Sequence, residues 1–129
     1  MAMEGATTSA VVKNNDTIHG DGGADNLFGQ DHADPNISGD DGNDHIFGGA
    51  FGDTMHGNAD NDNIDGEAGD DTMTGNAGDD AMIDGTGVDT ETGGSGADLF
   101  FLCTSDEPGD MATDYTPSEG DVVVLYSPC

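Results

Sequence analysis

Residues 57–83 read GNADNDNID GEAGDDTMT GNAGDDAMI, which is one nine-residue unit written three times. Each copy begins with Gly, has Asp as its sixth residue and has Ile or Met as its eighth. A short fixed period with one constant acid and one constant apolar position is typical of a solenoid, because each unit buries its apolar side chain only by stacking on its neighbours. This stretch therefore predicts a repeat architecture.

Extending the nine-residue register in both directions gives ten units over residues 11–101, with one extra residue in the Pro35–Asn36 region. The units begin at Val11, Gly20, Gly29, Gly39, Gly48, Gly57, Gly66, Gly75, Asp84 and Gly93. The sixth residue is always an acid: Asp16, Asp25, Asp34, Asp44, Asp53, Asp62, Asp71, Asp80, Asp89 and Asp98. The eighth residue is apolar with one exception: Ile18, Leu27, Ile37, Ile46, Met55, Ile64, Met73, Met82, Glu91 and Phe100.

Each unit is expected to form a six-residue Gly/Asp turn and a three-residue strand whose middle side chain points inward. Two units make one coil, so units two apart stack in the same sheet. The predicted fold is all-β, a right-handed parallel β-roll over residues 11–101. Residues 1–10 are interpreted as a lead-in that can be disordered, and residues 102–129 as a C-terminal β cap, because an open solenoid end is an unpaired sheet edge.

The charge of the chain requires a counter-charge from outside. There are 28 acids against one base, a net charge of −27, with a hydrophobic fraction of 33% and no Trp. Such a composition normally means disorder. It also argues against nucleic acid, membranes and acidic polysaccharides as partners, because their negative charges would be repelled. Cations are therefore the expected ligands.

The turn offers the chemistry that calcium prefers. Calcium takes six to eight oxygens from carboxylates and backbone carbonyls, and Gly-rich turns can direct successive carbonyls inward. One turn supplies half a shell and the turn one coil away supplies the rest, so an ion would bridge adjacent coils. Up to about eight ions fit this scheme, which would cancel roughly 16 of the 27 negative charges and make folding depend on calcium.

Three units carry a family resemblance. GDGGADNLF (20–28), GDDGNDHIF (39–47) and GGSGADLFF (93–101) resemble the GGxGxDxUx nonapeptide of the RTX, or haemolysin-type, calcium-binding family. The segment GDMATDYTPSEGDVVVLY (109–126) is similar to the strands that follow the repeats in serralysin-type secreted proteins. The resemblance implies two rows of calcium ions, an extracellular location and type I secretion. The N-terminus, MAMEGATTSA, predicts no cleaved signal peptide.

The candidate calcium ligands are the sixth-position acids and carbonyl-bearing residues of the turns. The acids are Asp25, Asp44, Asp62, Asp80, Asp98, Asp53, Asp71, Asp89 and Asp34. The turn residues are Gly20, Gly22, Gly39, Asp41, Gly57, Ala59, Gly66, Ala68, Gly75, Ala77, Gly93 and Ser95.

The two edges of the roll are not expected to bind equally. On the edge of Asp25, Asp44, Asp62, Asp80 and Asp98, the fourth turn residue is Gly or Asp60 throughout. On the other edge that position holds Asn14, His32 and Phe51, and a bulky residue in a left-handed turn costs of order 1 kcal/mol. We expect tight sites along the first edge and weak or empty sites near Asp16 and Asp34.

Catalysis has little support in the sequence. The four histidines, His19, His32, His45 and His56, are expected on the surface, and no HExxH motif or nucleophile elbow is present. The predicted function is a non-enzymatic calcium-binding module. Cys103 and Cys129 lie outside the repeats, and their spacing leaves both a disulfide and two free thiols open.

Other binding roles stay open. One is an accessory module for an alginate-type polysaccharide, which the net charge disfavours. Another is an ice-binding or adhesin-like module that uses the outward pairs Thr17/His19, Thr54/His56, Thr72/Thr74 and Thr90/Thr92, although Thr is also simply common in strands. The opposite sheet predicts an outward stripe of Phe28, Phe47, Ile83 and Phe101, interrupted by Asp65, through which a homodimer could form.

Overall fold

The computed structural model describes residues 9–11, 14–104 and 109–129, and in this part of the chain every regular element is a β-strand. The strands are β1 (Ser9–Val11), β2 (Thr17–His19), β3 (Asn26–Gln30), β4 (Asn36–Asp41), β5 (His45–Ala50), β6 (Thr54–Ala59), β7 (Asn63–Ala68), β8 (Thr72–Ala77), β9 (Ala81–Ile83), β10 (Thr90–Ser95), β11 (Leu99–Cys103), β12 (Met111–Ala112) and β13 (Val122–Tyr126). In the described residues no helix could cross a membrane.

Successive strands alternate between two parallel sheets. One sheet has the order β1-β3-β5-β7-β9-β11-β13, and the other has the order β12-β10-β8-β6-β4-β2. Strand partners are residues at the same position of units two apart, as in the pairing of Ile46 with Ile64. This is the parallel β-solenoid that the nine-residue period predicts, with two units in each coil.

Most strands are longer than the predicted three residues, because the first half of each turn also pairs with the next coil. The Asp41 amide donates to the Asp21 carbonyl at 2.9 Å, and the Gly23 amide donates to the Asp41 carbonyl at 2.8 Å. Six of the strands therefore reach six residues in length and continue into the third residue of the following unit. These bonds hold neighbouring turns in register along both edges.

The core is a narrow stack of eighth-position side chains, as predicted. It contains Ile18, Leu27, Ile37, Ile46, Met55, Ile64, Met73, Met82 and Phe100, all buried. Glu91 occupies the same inward position in β10 and is also fully buried. Because each strand contributes so few apolar atoms, the coils depend on their hydrogen-bond ladders and on whatever balances the acids.

The two ends of the roll extend the sheets beyond the ten units. Ser9 and Ala10, from the predicted lead-in, lie in β1, while residues 1–8 fall outside the described residues. At the other end β12 pairs with β10 and β13 pairs with β11, so Val123 stacks on Phe100. The boundary at residue 102 stays a prediction. Cys103 and Cys129 form a disulfide, which ties the C-terminus to β11.

The outward faces carry both predicted side-chain arrays. Phe28 and Phe47 are stacked at 4.9 Å between ring centroids, and Asp65 interrupts the stripe before Ile83. On the other sheet Thr54, Thr72 and Thr90 pair in register across three strands. The arrays are present, and the partners suggested for them stay predictions.

Candidate metal centres

The sixth-position acids form two ladders inside the turns, one along each edge. In every described rung, one carboxylate oxygen, Oδ1, accepts the main-chain N–H of the corresponding Asp one coil earlier. The first ladder links Asp25, Asp44, Asp62, Asp80, Asp98 and Asp121, with N–O distances of 2.7 to 3.0 Å. The second links Asp16, Asp34, Asp53, Asp71, Asp89 and Asp110, at 2.7 to 3.1 Å. These bonds fix the direction of each carboxylate that accepts one, which is every ladder acid after Asp16 and Asp25.

The second carboxylate oxygen is buried and accepts no hydrogen bond at most rungs. This is the state of Oδ2 in Asp34, Asp44, Asp53, Asp62, Asp71, Asp80 and Asp98. Burying an anionic oxygen without a hydrogen-bond partner costs several kcal/mol, and even a single such oxygen is rare in native proteins. The same unpartnered atom occurs at the same place in seven units, and such an oxygen has the chemistry of a cation ligand.

The first glycine of each unit leaves the space into which this oxygen points. A Cβ built on Gly48 would lie 2.8 Å from Asp53 Oδ2 and 2.9 Å from the carbonyl oxygen of Gly66, one coil further on. The same pairing of a carboxylate oxygen with a carbonyl of the next coil surrounds the first glycine in six units: Gly20, Gly29, Gly39, Gly48, Gly66 and Gly75. The cradle is lined by oxygens from two coils, and oxygen is the donor that calcium requires.

Backbone conformation explains the other turn residues. From Gly20 onward, the second position of every unit takes a positive φ angle, and so does the fourth position except at His32; Asn58 (85°) and Gly78 (144°) are examples. The left-handed strain expected at His32 is therefore wrong, and among the bulky fourth-position residues it is observed at Phe51. The first glycine is instead required for its missing side chain. Phe51 occupies a fourth position with φ of 84° and a side chain that is 63% exposed, which is a costly conformation for an aromatic residue.

The third-position carbonyls, which the sequence suggests as ligands, lie at the outer side of the turn. Asp41 O accepts the Gly23 amide at 2.8 Å, Ala68 O accepts the Phe51 amide at 2.7 Å, and Ser95 O accepts the Gly78 amide at 3.0 Å. A carbonyl oxygen has two lone pairs, so one remains on each of them. Their part in metal binding stays a prediction.

Burial gives the ladder acids unusual acidities in the absence of an ion. Desolvation, followed by the charges of neighbouring ladder acids, raises the pKa of Asp62 and Asp71 to about 7. Desolvation likewise raises the pKa of Asp44, Asp53 and Asp80 to about 6. A divalent cation in the cradle would reverse both effects, because it favours the ionised carboxylate.

Two ladder residues were missed by the sequence reasoning. Asp110 and Asp121 complete the ladders, but they lie 21 and 23 residues after their partners rather than 18. The longer loops place them outside the nine-residue period. The signal that could have found them is local, since each acid comes two residues before an inward-facing position, Ala112 or Val123, just as the ladder acids do.

The histidines do not assemble a catalytic site in the described residues. None of the four is buried, and His19 Nδ1 lies 3.1 Å from Asp40 Oδ2 at the surface. This agrees with the expectation of surface histidines.

Comparison with known protein families gives one match. The model of the RTX calcium-binding nonapeptide repeat, four copies, matches residues 13–34, 38–73 and 47–82, which together make up just over half of the chain. Comparisons with curated proteins and with solved structures gave no match. RTX repeats form structural, non-catalytic modules and are typical of secreted proteins. The chain belongs to the RTX calcium-binding nonapeptide repeat family.

Proposed function

We propose that this chain is a calcium-dependent folding module, in which ions bound along both edges hold adjacent coils together and are required for the chain to fold. The observation that carries the proposal is the row of buried carboxylate oxygens without partners, each facing a glycine cradle and a carbonyl of the next coil. The ligands proposed are the sixth-position acids together with carbonyls of the turns. Catalysis is not part of the proposed role.

Repulsion among the acids of the ladders is the reason why folding would depend on calcium. Each coil adds ionised acids to ladders in which like charges are stacked, and the chain carries a net charge of −27. Two charges about 5 Å apart repel by about 3 kcal/mol at an effective dielectric constant of 20. Up to about eight calcium ions would remove most of this repulsion. Because the cradles exist only in the stacked form, the free energy of binding becomes free energy of folding.

The two edges are proposed to differ in affinity. Asp16, near the N-terminal end of the second ladder, is only partly buried, whereas Asp25 is 1% exposed. Asp34 is buried and has the same cradle as the others, but its unit carries the extra residue and the next fourth position holds strained Phe51. We expect Asp25→Ala to remove more bound calcium than Asp16→Ala. Equal losses in a calcium titration would contradict the asymmetry.

An extracellular location and secretion as an unfolded chain are proposed from the family. Calcium sites of extracellular modules have dissociation constants of about 10⁻⁴ to 10⁻³ M. A module in this range stays unfolded where calcium is scarce and folds where it is abundant.

A homodimer through the stripe of Phe28, Phe47, Ile83 and Phe101 is proposed as a further partner interaction. The stacked rings of Phe28 and Phe47 form its most continuous part. Size-exclusion chromatography in calcium tests it, with Phe47→Asp expected to yield a monomer. Polysaccharide binding is disfavoured by the charge of the chain.

Far-UV circular dichroism with and without calcium tests the main proposal. The expected result is a disordered spectrum in chelator and a β-sheet spectrum after calcium is added, with magnesium far less effective because it demands octahedral geometry. A chain that is fully folded in chelator would contradict the proposal.

A further inference from the structure

Two departures from the repeat fall in the same unit, residues 84–92. Among the units that begin within residues 20–101, only this one begins with an acid, Asp84, in place of Gly. It is also the one unit with an acid, Glu91, at the inward eighth position. In the structure these two acids interact electrostatically, and each of them also interacts with Asp110 from the C-terminal segment.

Asp84 fills the space that glycine leaves open elsewhere. Its side chain is fully buried and is oriented by three donors: the Gly85 amide at 2.6 Å, the Cys103 amide, and the Tyr126 hydroxyl at 3.0 Å. Carboxylate oxygens of Asp84, Asp89 and Asp110 all lie within 4.8 Å of one another. Asp89 and Asp110 are adjacent rungs of the second ladder, joined by the Asp89 amide at 3.1 Å from Asp110 Oδ1.

Glu91 lies on the core side of β10, and the charges of Asp84, Asp89 and Asp110 all act on it. It follows Asp89 by two residues in extended backbone and is fully buried like Asp89, so both side chains point inward. Its neighbours in the stack are Met73 and Ala112, neither of which can donate a hydrogen bond from its side chain. Both carboxylate oxygens of Glu91 lack a hydrogen-bond partner.

The electrostatics agree with this placement. Desolvation, followed by the charges of Asp84, Asp89 and Asp110, raises the pKa of Glu91 to about 9. Four acids can lie this close in a buried volume only if some of them hold a proton or a cation lies among them. The other inward eighth positions of the described units hold apolar residues such as Ile64 and Met73. If position 91 had only to fill the core, Met or Ile would serve better there than Glu91.

We propose that Asp84, Asp89, Asp110 and Glu91 form a second class of cation site, built from carboxylates alone, which binds one hard divalent ion between the last coil and the C-terminal segment. It differs from the repeat cradles because Asp84 replaces the glycine that defines a cradle, and because Glu91 approaches from the core. The ion would lock β12 onto β10 and so close the C-terminal end of the roll. The inference shares Asp89 with the proposed function but does not depend on the glycine cradles.

Terbium luminescence provides a test that reports this site apart from the others. Terbium replaces calcium at oxygen sites, and its emission is sensitised only by an aromatic ring close to the ion. The chain has no Trp and two Tyr, and the Tyr126 hydroxyl touches the proposed ligand Asp84. In a Tyr115→Phe background, tyrosine excitation of the terbium-loaded protein should therefore give emission through Tyr126, and added Tyr126→Phe should abolish it.

Two variants that restore the repeat probe the ligands without disturbing the fold. Glu91→Met supplies the residue found at the same position of the adjacent coil, and Asp84→Gly supplies the usual first glycine. Each is expected to weaken the terbium affinity read through Tyr126 about 10- to 100-fold. Exposed Glu119→Gln, also in the C-terminal segment, is the matched control and should leave that affinity unchanged.

The outcomes separate this inference from the proposed function. Calcium-induced folding without Tyr126-sensitised emission, or unchanged affinity in both Glu91→Met and Asp84→Gly, would overturn the carboxylate site and leave the calcium-dependent roll intact. Sensitised emission that these variants weaken, in a chain already folded in chelator, would support the site and contradict the proposed function.

Discussion

Replacing Asp62 with Asn should stabilise the metal-free fold but give no such gain in stability when calcium is bound. Asp62 lies in the middle of the first ladder and is 1% exposed. Asn keeps the oxygen that accepts the Asp44 amide at 2.8 Å, but it removes the charge and places an amide at the unpartnered position. The substitution therefore separates the hydrogen bond of Asp62 from its proposed role as a calcium ligand.

The magnitude follows from the pKa of Asp62, which burial raises to about 7 from an ordinary value near 4. Above pH 7 the ionised group costs the metal-free fold about 2 to 4 kcal/mol, from 1.36 kcal/mol per pKa unit with an allowance for solvent screening. Asp62→Asn should recover this amount in chelator. In calcium at 100 times the dissociation constant, each ion lost removes about 2.7 kcal/mol of stabilisation. The advantage of the variant should then disappear.

Urea unfolding followed by circular dichroism measures both states. If the metal-free chain is unfolded, the osmolyte concentration needed to fold it gives the same comparison. Asp60→Asn is the matched control, because Asp60 is exposed in the same turn and Asn tolerates its φ of 74°. It should change stability by less than about 0.5 kcal/mol. If Asp62→Asn destabilised the fold equally with and without calcium, Asp62 would be a hydrogen-bond acceptor and not a metal ligand.

Three further predictions concern pH, the cradle and the disulfide. Burial raises the pKa of the ladder acids Asp44, Asp62 and Asp71 to about 6 or 7, so between about pH 4 and 7 the metal-free fold binds more protons than the unfolded chain. The stability of the metal-free fold should therefore rise as the pH falls from about 7 to about 4. Thermal unfolding midpoints in chelator that stay constant across this range would contradict the pKa shifts. Gly57→Ala places a Cβ against Asp62 Oδ2, so it should lower the free energy of unfolding by about 1 to 3 kcal/mol and raise the calcium concentration needed for folding. In the control Gly22→Ala, the new Cβ lies 4.0 Å from its nearest neighbour, and the loss should be less than about 1 kcal/mol. Similar calcium midpoints for the two variants would contradict the cradle. Cys129→Ser opens the loop that the disulfide with Cys103 closes, and urea unfolding in calcium should show a stability about 3 to 4 kcal/mol below that of the oxidised parent chain. The reduced parent chain should match the variant, and a variant as stable as the oxidised parent would contradict a stabilising role of the disulfide.

The sequence supported the prediction of the solenoid, its two-unit coil and its inward column of side chains. These three features follow from the periodicity, because a nine-residue unit with one apolar side chain can bury that side chain only by stacking it on the same position of a neighbouring coil. The length of the strands was underestimated, since composition marks Gly/Asp segments as turns and does not reveal that their amides pair with the next coil. Asp110 and Asp121 were missed because they lie beyond the period and join the ladders only through longer loops.

By itself, the sequence determined which residues repeat, and hence the register in which they stack. It could not assign different roles to the glycines of one turn, because φ angles and the space around a missing Cβ depend on the neighbouring coil. Only the tertiary structure showed that the first glycine makes room for a carboxylate oxygen while the second and fourth positions bend the backbone. Only the fold could bring carboxylate oxygens of Asp84, Asp89 and Asp110 within 4.8 Å of one another, where their charges also act on buried Glu91. The repeat period predicts contacts between residues at the same position of different units. Contacts between residues at different positions depend on the three-dimensional arrangement of neighbouring coils, which the period does not specify.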